Sequence, residues 1–419
     1  MAPANEILDY PIQKPIIKNK LLYKNSSSPN SFQEVMKKPL VVLQLFGFFP
    51  VSGITKPNYR NLKFTWKSFR LFFNLICLFG IVFHFVCFCV KRKLDKTLAF
   101  NAAVFQVEGI ILSGLFIYLA KQWPDFVKEW HLVEVSMRSY ELTMNLKRKI
   151  WLVSSPILTL AIIEHSMVIY RAASSSITQL KSRDFWNVTE MIIADREFSE
   201  IFETINYSFP LGLYFMVLNI QKTFIWTYLD VFIIIVSVCF NFRLKQVSKR
   251  LYYISKIEVT DENIWRTVRE DYVKLTKLCE SINNHLCWFV LISYSTNIYH
   301  ILSQLFSSLR PIEDIFSKVY FYVSFFLLIL RVTSVCVFGG SIFDQHEEIT
   351  RIMTTVPSAA YNIEVERFVM HLATYETALT GKNFFKITRN LILKVTSAIV
   401  TYELVLIQFN QNEFKTKDL

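Results

Sequence analysis

Glycine is scarce in this chain, with nine residues in 419, and the nine are scattered. No Gly-rich loop precedes a Lys-Ser/Thr pair, so a phosphate cradle of the P-loop type is excluded. His346-Glu347 lacks a second histidine at the spacing of a zinc-protease helix, and no other catalytic motif is present. The reading is therefore no enzyme, no cofactor and no metal. The first 40 residues contain no apolar run, so no cleavable signal is expected and the first span serves as its own insertion signal. The seven cysteines (Cys77, Cys87, Cys89, Cys239, Cys279, Cys287 and Cys336) all avoid the expected outer loops, which excludes a disulfide framework. Neither a short internal repeat nor a pair of inverted halves is evident.

Apolar length is what the chain has in excess. It is 52% hydrophobic and 16% aromatic, more than one soluble core needs. Seven runs reach the roughly 17 to 25 residues of a membrane helix, at 71–90, 98–120, 151–172, 223–243, 285–307, 319–343 and 390–409. The fifth is diluted by Ser293, Tyr294, Ser295, Asn297, Tyr299, His300, Ser303 and Gln304. A shorter run, Tyr207 to Ile220, contains Pro210 and is expected to lie on or dip into the outer surface.

The net charge of +12 does not point to nucleic acid, because the basic residues flank the apolar runs instead of gathering on one soluble face. With the N-terminus inside, 31 Lys and Arg fall on the inner side and 13 on the outer, as the positive-inside rule requires. Lys91-Arg92-Lys93 dissents. Sequons at Asn187 and Asn206 fall in a loop that this topology places outside, whereas the one at Asn25 falls inside. The expectation is an all-α, seven-span plasma-membrane protein with a cytoplasmic N-terminus and an extracellular C-terminus.

Residues 1–35 read as a flexible cytoplasmic tail, and Met36 to Gly53 as a helix docked at the inner membrane surface. Residues 36–389 carry spans one to six together with cytoplasmic extensions. The extensions show in Leu244, Val247, Leu251 and Ile254, and again in Trp265, Val268, Tyr272, Leu275 and Leu278, which repeat at helical spacing. Glu364 to Leu379 is a further amphipathic helix before Gly381. Pro156 marks a kink in span three. Residues 390–409 form the last helix, and 410–419 an extracellular tail.

A charge inside a membrane helix costs about 2.5 to 3.5 kcal/mol on insertion scales, so each such residue is a functional candidate. Glu108 sits with Asn101 and Phe105 on one face of span two, and Glu164 and His165 lie in span three. Trp226 and Asp230 are one turn apart in span four. Asn297, His300 and Gln304 share a face of span five with Tyr294 below, and Tyr320 and Tyr322 open span six. All lie in the outer halves of their helices. Carboxylates, amides and aromatic platforms complement a neutral polyol such as a sugar; the same residues can instead pair with one another between helices. Arg331 lies deeper and is expected to meet a carboxylate, Asp230 or Glu108.

In the last span Lys394, Thr401 and Gln408 recur every seven residues with Ser397, Leu404 and Val405 on the same stripe. That stripe suits a pore lining or a packed interior helix equally well. The segment Thr401-Tyr402-Glu403-Leu404-Val405-Leu406-Ile407-Gln408-Phe409 resembles the signature closing the last helix of insect gustatory receptors, and its wording is most similar to the sugar-receptor branch. Gly47-Phe48-Phe49-Pro50-Val51 is a second, shorter resemblance. The resemblance implies a sugar-gated cation channel in the membrane lipid, built as a homotetramer or mixed with related subunits, with cytoplasmic helices forming a central anchor. It also implies that the last helix lines the pore, with Thr401, Leu404, Val405 and Gln408 facing the permeating cations. A receptor for a non-sugar tastant and a multi-span transporter are the rival readings.

Overall fold

The computed structural model describes residues 30–91, 96–141, 145–180, 185–308 and 314–417; Asn25 and most of the N-terminal tail lie outside these. Eleven α-helices dominate the described residues: α1 (Phe32–Leu45), α2 (Phe69–Lys91), α3 (Lys96–Ser136), α4 (Leu146–Leu180), the short α5 (Phe185–Glu190) and α6 (Ser199–Phe202), α7 (Phe209–Lys256), α8 (Glu262–Ser308), α9 (Ile315–Thr354), α10 (Ile363–Thr374) and α11 (Asn390–Lys417). Seven of them (α2, α3, α4, α7, α8, α9 and α11) contain the seven expected spans. Among the described residues five helices, α2, α3, α4, α7 and α9, are long and apolar enough to cross a membrane. α8 and α11 have the length but carry the polar stripes noted above.

α7 is the axis of the bundle. Every residue from Thr227 to Leu244 is buried, as befits a helix that is hydrophobic on all sides. It packs against α3, α4, α8 and α9. The run Tyr207 to Ile220, expected to lie on or dip into the outer surface, forms the first turns of α7 from Phe209 onward. Pro210 stands in the first turn, where a missing N–H costs nothing, so it starts the helix without interrupting it. α4 likewise continues through Pro156.

The extensions beyond the spans are continuous helix, tied by buried polar contacts. Arg243 meets Glu134 at 2.7 Å, Tyr140 donates to Asp271 at 3.0 Å, and Tyr272 pairs with His346 at 2.7 Å. Glu364, in the first turn of α10, is gripped by Arg269 at 2.8 Å and by Arg367 at 3.0 Å. Those guanidiniums, Arg269 first, hold its carboxyl below the ordinary value. α10 ends at Thr374, five residues before the expected Leu379, and the chain turns into a hairpin with Thr380 opposite Lys386. Lys382 and Asn383 take positive φ in that turn.

α1 packs beside α3 and α7. Phe32 stacks on Trp130 with ring centroids 3.9 Å apart, Tyr228 donates to the Pro39 carbonyl at 2.7 Å, and Phe46 stacks on Phe224 at 3.7 Å. The Gly47 to Val51 segment then reverses the chain. Gly47 has φ +79°, and a Cβ there would stand 2.8 Å from the Phe73 ring, so only glycine fits. Gln44 donates to the carbonyls of Phe49 and Val51, and Asn74 to that of Gly47.

The backbone entering α11 is pressed against α9. At Gly340 a Cβ would lie 2.9 Å from the Arg389 nitrogen and 3.0 Å from the Thr388 carbonyl carbon. Gly340→Ala must therefore separate the two backbones, costing about 1 to 3 kcal/mol. Its thermal midpoint in detergent should fall by several degrees, whereas Gly114→Ala, which meets nothing within 4 Å, should leave the midpoint unchanged or raised.

Candidate ligand cavity and its polar floor

A cavity of about 390 Å³ opens at the end of the bundle where α2, α3, α4, α7 and α9 meet a π-helical turn, Met191–Glu197. Helical spacing builds its wall: Asn219, Thr223 and Trp226 follow i, i+4, i+7 on α7. Glu164, His165 and Val168 come from α4, His84 from α2, Phe105 and Gln106 from α3, and Tyr320 from α9. Glu197 and Phe198 close one side from the π-helical turn and the residue after it.

Of the residues expected to bind ligand, Glu164, His165 and Trp226 line this cavity. Gln304 is joined to it through Ser324, which accepts from the Gln304 amide at 2.9 Å and donates to Glu164 at 2.6 Å. Asp230 and Asn297 lie beneath, both fully buried. There the Arg331 Nε donates to Asp230 at 2.6 Å, the Asn297 amide at 3.0 Å, and the Ser293 hydroxyl completes the shell. Arg331 also donates to the Trp226 carbonyl at 2.9 Å, with its guanidinium 4.2 Å from the Trp226 ring centroid. Of the two carboxylates expected for it, Arg331 takes Asp230. His300 meets the edge of Trp226 at 4.9 Å and stands 3.8 Å from Glu108, too far for a hydrogen bond. Tyr294 points to Cys336 at 3.0 Å, and Tyr322 is 68% exposed on the flank of α9; neither lines the cavity.

Several side chains around this floor hold buried polar atoms with no hydrogen-bond partner in the chain: both oxygens of Glu108, Trp226 Nε1, Asn297 Oδ1, His300 Nε2, Gln304 Oε1 and Arg331 Nη1. Native interiors leave few such groups unpaired. Their concentration beside one cavity fits a site that a polar ligand or water completes. Among the described residues no group of His, Cys, Asp and Glu is arranged to hold a metal.

Sequence reasoning missed Lys222, which it counted among the outer charges. The side chain is 2% exposed, donates to Gln106 at 2.6 Å and lies 5.1 Å from the Phe105 ring centroid. Gln106 in turn faces His84 at 3.2 Å. The signal was present at helical spacing, since Lys222 precedes Trp226 by one turn on α7.

The candidate pore residues sit apart from this network. α11 leans on α8 and α9 and buries only Val395 among its described side chains. Thr401, Leu404, Val405 and Gln408 are all exposed, Leu404 by 58%. Both sequon asparagines, Asn187 and Asn206, are exposed too.

Residues 13–418 match the family model described as trehalose receptor. The chain is 30% identical over 401 residues to the gustatory receptor 5a for trehalose of Drosophila melanogaster, covering 94% of this chain and 88% of that one. It is 29% identical over 391 residues to the gustatory receptor for sugar taste 64f of the same fly, covering 92% and 82%. Its fold is similar to that of the olfactory receptor OR5 of Machilis hrabei in complex with eugenol, with a TM-score of 0.63 over 89% of this chain and 97% of that one at 12% identity.

The floor geometry sets an expectation for stability. Asp230→Ala leaves Arg331 buried and uncompensated, a loss of about 3 to 5 kcal/mol. Detergent-extracted protein should therefore lose its monodisperse peak on size exclusion. Removing both charges, as in Asp230→Leu with Arg331→Met, should recover most of it; a double variant no better than the single would show that the pair does not hold the floor.

Proposed function

This chain belongs to the trehalose receptor family, whose relatives are insect gustatory receptors and not enzymes, and from that premise we propose that it is a sugar-gated cation channel of the plasma membrane. The observation that carries the proposal is the cavity in which carboxylates, imidazoles and an indole converge over a floor of unpaired polar atoms. A sugar presents hydroxyl donors and acceptors around weakly apolar C–H faces. Glu164, His165 and Gln304 suit the hydroxyls, and Trp226 offers an aromatic face. Asp230 and Asn297 act as positioning residues beneath, through Arg331 and Trp226.

The N-terminus lies in the cytoplasm, which puts the cavity and both exposed sequons outside. α11 lines a pore on the axis of a homotetramer or of a tetramer mixed with related subunits. A helix that buries only Val395 among its described side chains has faces left over for neighbouring copies. Leu404 and Val405 form a constriction that stays dry when closed, followed by a ring of Gln408 amides that passes hydrated cations. Sugar opens the channel by binding the open arrangement more tightly than the closed one.

Two sets of variants test this in cells expressing only this chain. His165→Ala or Trp226→Ala should raise the half-saturating sugar concentration about tenfold, the loss of one hydrogen bond or stacking contact, at unchanged surface expression. Leu404→Ser should raise current without sugar, and Gln408→Glu should change cation selectivity or divalent block more than sugar affinity. Sugar uptake without current would make the protein a transporter. Well-expressed Leu404 and Gln408 variants with wild-type conductance, selectivity and resting activity would remove α11 from the pore.

A further inference from the structure

Between Glu34 and Asp95 the sequence contains no acidic residue, yet it carries seven Lys and Arg from Lys37 to Arg70. Lys37 is paired with Glu34. Lys56, Arg60, Lys63, Lys67 and Arg70 are all exposed, and among the described residues none of these five forms a salt bridge; Arg70 only donates to the Val51 carbonyl, at 3.2 Å. They lie on the hairpin pairing Val51 with Phe64 and on the turn into α2. This is a block of positive charge with no counterion among the described residues.

Apolar groups adjoin that block. Trp66 is 68% exposed and Phe69 80% exposed, one turn apart where α2 begins. Tryptophan at the end of a membrane helix sits at headgroup depth. Beside them is a second cavity of about 230 Å³, walled by Phe48, Phe69 and Phe73 with Gln44, Gly47 and Arg70 at its rim. The rigid reversal at Gly47 shapes this cavity.

We propose that the hairpin and the start of α2 form a binding site for an anionic phospholipid, whose headgroup phosphate is held by Lys63, Lys67 and Arg70 and whose upper acyl chain rests in the cavity against Phe69 and Phe73. Charge complementarity identifies the occupant: four to eight basic residues immediately before a span attract anionic headgroups, and here nothing of opposite sign competes. The adjoining apolar cavity distinguishes a lipid from free phosphate. The assignment to the cytoplasmic leaflet rests on the topology proposed above, whereas the chemistry of recognition does not.

The test uses the full chain purified in neutral detergent, with a fluorescent short-chain phosphatidylinositol bisphosphate as probe and its soluble inositol phosphate headgroup as competitor. The wild type should bind the lipid with an affinity that falls as salt rises, and should bind the soluble headgroup at least tenfold more weakly. Lys56→Gln, Lys63→Gln and Lys67→Gln together should weaken lipid binding about a hundredfold, roughly fivefold for each lysine near the surface. These side chains are exposed and unpaired, so the thermal midpoint should be preserved. A control removing three exposed charges elsewhere, Arg148→Gln with Lys245→Gln and Lys256→Gln, should change binding less than twofold. Phe69→Ser should reduce the lipid's advantage over the soluble headgroup. The proposal is overturned if the triple lysine variant binds as the wild type does, if the control loses as much, or if headgroup and lipid bind equally. It is also overturned if the lysine changes alter oligomer mass and leave lipid binding intact, which would make the face a protein interface. Because binding in detergent is blind to sidedness, an inverted topology would leave these outcomes in place and appear instead as glycan on Asn25.

Discussion

Arg331 and Asp230 meet with both side chains fully excluded from solvent, and the upper part of the molecule is arranged around the cost of that burial. Each ion alone would lose several kcal/mol of hydration. The offset requires short, well-directed contacts from more than one helix. α9 supplies the guanidinium, α7 the carboxylate and the Trp226 carbonyl, and α8 the Ser293 hydroxyl and Asn297 amide. Three helices are thereby fixed in register, because a shift of one residue on any of them would strand a charge.

The pair also accounts for the grading of polarity above it. Asp230 is saturated, so it is unavailable to a ligand; the groups one turn nearer the cavity are only partly satisfied. Trp226 is held from below by its own carbonyl and by the guanidinium over its ring, while its indole nitrogen remains unpaired. Glu108, His300 and Gln304 likewise keep unpaired atoms. The Arg331–Asp230 pair fixes the positions of side chains around it that keep unpaired polar atoms. That is the arrangement a recognition site needs, since donors held in place lose little entropy when a polar ligand arrives.

The legibility of this design in the sequence varied with the range of the interaction. Seven apolar runs foretold the seven long helices, and the i, i+4, i+7 spacings foretold which polar side chains share a face. The cost of a buried charge foretold that Arg331 would find a carboxylate, but not which one; the choice of Asp230 over Glu108 depends on how α7 and α9 cross. Tyr322 shows the converse limit, because two tyrosines two residues apart on a helix point to different sides, and only Tyr320 reaches the cavity. The packing of α1 against α3 and α7 was hidden because its apolar residues fit a protein groove and a membrane surface equally well. Lys222 was hidden by its charge, which reads as solvent-exposed until Gln106, Phe105 and a neighbouring acidic turn are seen around it. The end of α10 at Thr374 was missed because the apolar spacing runs on into an extended segment whose backbone is satisfied from α8, with Asn283 donating to the Ala378 carbonyl and accepting from the Thr380 nitrogen.

The same helix that carries Arg331 also touches the entrance to α11, and this links the two ends of the proposed mechanism. Nine residues beyond Arg331, two and a half helical turns, Gly340 abuts the backbone at Thr388 and Arg389 with no room for a methyl group. Gly339 packs against the Ile387 side chain, and Tyr294 on α8 rests on Phe385 at 5.0 Å. The Gly340 contact behaves as a rigid joint, because approach of α9 there is opposed by backbone and not by side chains that can change rotamer. A ligand that changes the tilt of α9 at Arg331 therefore moves the start of α11 with it, whereas none of the described side chains of α11 beyond Val395 is fully buried. Tight coupling at the entry and freedom along the remainder is the mechanical condition for a helix to change its distance from an axis without unfolding the bundle behind it.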